Sequence, residues 1–116
     1  MIKVSLIVCD KNRSLSLEVK GHAGQAEIGQ DIVCASASIL TYTVAQIVTD
    51  MARKGLLERE PTIVLDSGDA TVECICKDDT AYGEALNGYY VATVGYQLLA
   101  HNYPQFVELK IVGEVE

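Results

Sequence analysis

Two side chains in this sequence have types and spacing suited to nucleophilic chemistry. His22 and Cys34 stand twelve positions apart in the stretch GHAGQAEIGQDIVCASASIL, residues 21–40. A thiolate is a strong nucleophile. An imidazole titrates near neutrality, so it can take a thiol proton and return it to a leaving amine. Between the two lie Ala23, Gly24, Gln25, Ala26, Glu27, Ile28, Gly29 and Gln30, read as a loop. Its two glycines let it fold back, bring the two groups together and admit an extended peptide. The plainer alternative is that the cysteine packs as a small hydrophobe and the histidine is an ordinary surface residue.

Position gives the chemical reading its weight. A helix read from Ile32 puts Cys34 in its first turn. Unsatisfied backbone N–H groups and the helix dipole favour an anion there, and the same donors suit an oxyanion. Asp31 has two readings that the sequence leaves open. It is either the helix N-cap, accepting N–H groups that include that of Cys34, or a third member that orients a protonated His22. Ser38, one turn beyond Cys34 on the same face, is a small packing residue or a hydrogen-bonding neighbour of the site. Gly21 and Ala35 leave the surroundings uncrowded.

The elements that must position these groups follow from hydrophobic periodicity. Alternation from Ile2 to Val8 and again from Leu15 to Val19 predicts two strands, with a turn at Asp10-Lys11-Asn12-Arg13. Val33, Ala37, Leu40, Val44, Ile47 and Met51 recur at helical spacing, which predicts a helix over 32–54 stopped by Gly55. Two short strands, Thr62–Asp66 and Ala70–Cys76, flank the turn residues Ser67-Gly68-Asp69. A second helix starts at the acidic cluster Asp78-Asp79-Thr80 and stops near Asn102 and Pro104. Its apolar positions include Tyr82, Tyr89, Tyr96 and Tyr103, a stripe that serves equally as core or as a surface for a second copy. Gly83, Gly88 and Gly95 interrupt this helix, and close approach of another backbone is their expected use. Phe106–Val112 is the last strand. The order strand, strand, helix, strand, strand, helix, strand predicts an α+β fold, two helices on a mainly antiparallel five-stranded sheet. At 116 residues the chain is read as one domain, 1–116.

Composition narrows the function classes. Apolar residues make up 49% and charged residues 22% of the chain, ordinary for a globular protein. A net charge of −7 argues against a phosphate-tracking surface, so no direct nucleic-acid partner is expected, and a basic partner suits the balance better. No apolar run approaches the roughly 20 residues that span a bilayer, so no membrane partner is expected. The start, MIKVSLIVCDKNRS, is too short and alternating for a secretory signal, which points to a cytoplasmic protein with reduced thiols. Cys74-Ile75-Cys76 lacks zinc-knuckle spacing and reads as core-facing, so neither a metal nor another cofactor is expected. Cys34 has no resolving cysteine near it in sequence, which disfavours a redox role. His101 is read as a partner of the second helix's C-terminal dipole.

The stretch GHAGQAEIGQDIVCASASIL resembles the signature of the bacterial ribosomal-processing cysteine proteases, in which Gly-His-Ala, a variable loop and Asp-Ile-Val-Cys-Ala follow in order. The likeness extends to chain length and element order. It implies a Cys/His dyad with Cys34 as nucleophile and His22 as base, and access controlled by Gly21 and the loop after it. It further implies a homodimer that removes a short N-terminal extension from a large-subunit ribosomal protein precursor. In this family the cut follows an aromatic or aliphatic residue and precedes a small one, within a basic precursor. The rival reading is a non-catalytic binding or regulatory protein of the ribosome with the same fold. Retention of both His22 and Cys34 argues against it.

Overall fold

A computed structural model describes residues 1–22 and 30–114, the side chains of Gln30, Asp31 and Glu114 excepted. The elements run β1 (Ile2–Cys9), β2 (Ser14–Lys20), α1 (Gln30–Arg53), β3 (Thr62–Asp66), β4 (Asp69–Ile75), α2 (Asp79–Asn102) and β5 (Val107–Glu114). One five-stranded sheet has the order β3-β4-β2-β1-β5. Its pairs are antiparallel except β1 with β5, which is parallel. The expected α+β architecture is the observed one.

The alternation read in the strands places Ile2, Val4 and Leu6 of β1, Leu15 and Leu17 of β2 and Val72 and Cys74 of β4 in one buried cluster. Both helices cover that face. The buried side of α1 is Val33, Ala37, Thr41, Val44, Ala45, Val48 and Met51. That of α2 includes Tyr82, Ala85, Tyr89, Ala92, Tyr96 and Leu99. The tyrosine stripe is therefore core, with Tyr89 1% and Tyr96 0% exposed, and it is not a docking surface. Each buried ring still needs a partner for its hydroxyl. Tyr89 donates to the Val72 carbonyl at 2.9 Å. Tyr96 and Thr41 Oγ1 lie 2.6 Å apart, and Thr41 itself donates to the Ala37 carbonyl at 2.8 Å. Burial pushes the Tyr96 hydroxyl up to about 12, so it stays a donor across the neutral range.

The glycines of α2 differ from the expectation. Among the described residues, the nearest neighbours of Gly88 and Gly95 are side chains of α1 and not a backbone. A Cβ on Gly95 would meet Leu40 Cδ2 at 2.6 Å, and one on Gly88 would meet Ile47 Cδ1 at 3.1 Å. Nothing lies within 4 Å of one on Gly83. Leu40 faces Gly95 while Ile47, two turns on, faces Gly88 two turns back, so the helices run antiparallel with α1 side chains seated in α2 gaps.

Helix ends follow from capping chemistry. The Asp78 carboxylate accepts the Ala81 N–H at 2.9 Å and starts α2. Gly55, at φ 74°, follows the end of α1 in the left-handed conformation that glycine adopts without strain. His101 lies in the last turn of α2, as expected. The other end of α1 needs two corrections. It begins at Gln30, not Ile32, so Gln30 belongs to the helix instead of the loop, and Asp31 lies inside the first turn instead of capping it. By length and composition, Ile32–Arg53 is also apolar enough to cross a membrane, with mean hydropathy 1.6. Its isoleucines, valines and alanines raise that average, although serines, threonines, Tyr42 and Gln46 break up any apolar run. Here its buried side is spent on the sheet and α2.

Candidate active site

The site grows from the end of β2. Lys20 pairs with Asp69 of β4, and its ammonium bridges the Asp69 carboxylate, which ties the two strand ends together. Because that ladder continues, the next residue, Gly21, donates its N–H to the Gly68 carbonyl at 2.9 Å. Gly21 sits at φ 92°, and a Cβ there would stand 2.4 Å from the Met1 carbonyl oxygen. Only glycine satisfies both conditions. The His22 carbonyl accepts a hydrogen bond from the Met1 nitrogen at 2.6 Å. The backbone entering His22 is thus held by the start of β1 on one side and the β3–β4 turn on the other.

Cys34 comes from α1. It is half-buried and packs against the core cluster. As the fifth residue of the helix it stands two residues deeper than the sequence reading placed it, past the first turn. The dipole of a helix acts mainly within its first turn, so the helix terminus contributes less here than expected. Orientation toward His22 has to come from tertiary packing.

That packing puts both on the wall of one cavity. His22 and Cys34 line a single cavity of ≈ 270 Å³, along with Gly21 and Ser38. Its wall is mostly apolar, with Ile2, Val19, Ala37, Leu65 and Ala70 beside Thr41 and Tyr42, and the turn Asp66–Asp69 closes the remaining side. A cavity of this size can take a peptide side chain with adjoining backbone. Ala35 is exposed and is not among the lining residues. The loop residues Ala23, Gly24, Gln25, Ala26, Glu27, Ile28 and Gly29, and the side chains of Gln30 and Asp31, lie outside the described residues. The capping role falls with the helix start at Gln30, and the orienting role for the Asp31 carboxylate stays an expectation.

The other thiols have different surroundings. Cys74 and Cys76 are each 1% exposed, in the core-facing position expected of them. Burial pushes the Cys76 thiol up to about 12, and Cys74 moves in the same direction, so both stay protonated and inert. Sequence reasoning missed the β3–β4 turn as part of the site. Its Ser67-Gly68 pair signals only a hairpin, and nothing local says which strand end it will face.

Comparisons with known proteins give the family and the fold. A family model described as cysteine protease Prp matches residues 1–108. A crystal structure of SMU.848 from Streptococcus mutans is 26% identical, with TM-score 0.69 over 98% of this chain and 96% of the other. The Staphylococcus aureus ribosomal processing protease Prp with a substrate peptide is 26% identical, with TM-score 0.67 over 96% of this chain and 99% of that one. The same S. aureus protease with a covalently linked product peptide shares the fold at 24% identity and TM-score 0.68, over 96% and 99% of the two chains. No curated protein matches the chain in sequence.

Proposed function

The chain belongs to the Prp family of cysteine proteases, and on that premise we propose that it is an endopeptidase in which Cys34 is the nucleophile and His22 the base. The observation that carries the assignment is the shared cavity, since the thiol and the imidazole of the twenty-residue signature line one space of peptide dimensions. In the first half-reaction His22 takes the Cys34 proton and the sulfur attacks the scissile carbonyl carbon. The C–N bond then breaks as the imidazolium protonates the leaving amine, which leaves a thioester on Cys34. In the second, His22 takes a proton from water, hydroxide displaces the sulfur, and the acid product leaves. Ser38, one turn along α1, lines the same cavity, which supports a hydrogen-bonding role toward substrate.

The substrate we infer is the N-terminal extension of a large-subunit ribosomal protein precursor. The S. aureus relative is a ribosomal processing protease crystallised with substrate peptide. A net charge of −7 suits a basic precursor. The apolar wall around Leu65, Ala70 and Val19 suits an aromatic or aliphatic side chain before the cut. The site of action is the cytoplasm, where the free thiols Cys9, Cys34, Cys74 and Cys76 stay reduced. The protein works as a homodimer, for which the apolar residues exposed along one side of α2, Tyr90, Val91, Val94 and Leu98, offer a surface.

The test is incubation with a synthetic peptide spanning the precursor's processing site, with product masses locating the cut. Cys34→Ala and His22→Ala should each abolish product while keeping the fold. Cleavage at the wild-type rate by either variant removes the dyad assignment, and intact peptide retained at one per protein favours a binding-only role.

A further inference from the structure

We propose that the β3–β4 turn is the seat of the base, with Gly68 as the residue that positions the His22 imidazole. Gly68 lies 46 positions from His22 in sequence. The β2–β4 ladder brings it alongside, and Gly21 donates to its carbonyl at 2.9 Å. The imidazole then rests on the bare Cα. A Cβ on Gly68 would lie 2.4 Å from His22 Nε2, 2.7 Å from Cε1 and 3.2 Å from Cδ2. The ring fills the space that any side chain at position 68 would take. A histidine on an exposed strand end has rotamers open to it that lead away from the cavity. The bare turn gives the ring a fixed surface at the cavity wall, which Gly68 also lines.

Gly68 has a second reason to be glycine, its φ of 72°, and the two reasons can be separated. Gly55 has nearly the same conformation, φ 74°, but a Cβ there would have nothing within 4 Å, and Gly55 does not line the cavity. Alanine at 55 therefore measures left-handed strain alone, and alanine at 68 adds displacement of the imidazole. Asparagine at 68 tolerates the left-handed region but still carries a Cβ, so it removes most of the strain and keeps the clash. To restore ordinary contact with Nε2 the ring must retreat by about 1 Å, a misplacement that can reduce turnover by about 100-fold.

The inference rests on His22 acting as the proton acceptor for Cys34. Its test compares wild type with Gly68→Ala, Gly68→Asn, Gly55→Ala and His22→Ala, using peptide cleavage, thermal unfolding and the pH profile of Cys34 alkylation by iodoacetamide, read by mass spectrometry. Gly68→Ala and Gly55→Ala should lose similar thermal stability. Both position-68 variants should show kcat lower by about 10- to 100-fold with KM within about threefold, and an alkylation profile moved toward that of His22→Ala. Gly55→Ala should cleave as wild type does. Cleavage by Gly68→Ala and Gly68→Asn within about twofold of Gly55→Ala, with His22→Ala inactive, overturns the seat and leaves the dyad standing. Full activity in His22→Ala overturns the dyad and the seat with it.

Discussion

Replacing the α2 glycines by alanine one at a time should give three effects of different sign. Each replacement brings the same helix-propensity gain, about 1 kcal/mol for Gly→Ala inside a helix. What differs is the space for the new methyl. At Gly83 nothing lies within 4 Å, so the gain is kept and stability should rise by about 0.5–1 kcal/mol. At Gly88 the methyl meets Ile47 Cδ1 at 3.1 Å and Cγ2 at 3.3 Å, so a half-exposed side chain must yield by a few tenths of an ångström. The net change there should stay within about 0.5 kcal/mol of zero. At Gly95 it meets both Leu40 methyls, at 2.6 and 2.8 Å, and Cγ at 3.3 Å. No small rotation clears both branches of a leucine together with its branch point. Overpacking of this kind costs about 1–3 kcal/mol, which exceeds the gain and leaves Gly95→Ala less stable than wild type by about 1 kcal/mol. Urea unfolding followed by far-UV circular dichroism, at one protein concentration, would read the order Gly83→Ala, Gly88→Ala, Gly95→Ala from most to least stable. Adding Leu40→Ala to Gly95→Ala should cost less than the two changes summed. If Gly95→Ala is as stable as Gly83→Ala, the seating of α1 side chains in α2 gaps is wrong. So is the account of how α1, which carries Cys34, is held.

Two further perturbations test the ground beneath the cavity and the buried thiols. Thr41→Val strands the fully buried Tyr96 hydroxyl and should cost about 1–3 kcal/mol. Tyr96→Phe leaves Thr41 its bond to Ala37 and should cost less, and the double variant should fall short of the sum, all by the same unfolding assay. Alkaline stability should report Cys76, which burial raises from 9.0 to about 12. Over that interval the unfolded chain has lost the thiol proton and the folded chain keeps it, so unfolding releases a proton. Stability present below pH 9 is then lost as pH rises toward 12, by up to about 1.4 kcal/mol per pH unit for one thiol. Urea midpoints under reducing conditions from about pH 8.5 to 10.5 should fall less steeply in Cys76→Ala than in wild type, and equal slopes would remove Cys76 as the source.

Much of this molecule is local and can be read without a fold. Alternation marked the strands, helical spacing marked the apolar side of both helices, and the acidic start of α2 appeared as a cap. His22 and Cys34 stood out as candidates because the signature that carries them is contiguous. The first turn of α1 was not, because Gln30 and Asp31 are polar and periodicity registers only the buried stripe. The tyrosine stripe of α2 could not be assigned to core or surface, since the helix also carries Tyr90, Val91, Val94 and Leu98 on an exposed side. Tertiary structure alone decided what meets the imidazole. Gly68 reaches His22 through strand register between segments far apart in sequence, and register depends on how every side chain on two strands packs at once. Local patterns specify the pieces because backbone geometry imposes their periods; the site depends on pairings that no short window of sequence contains.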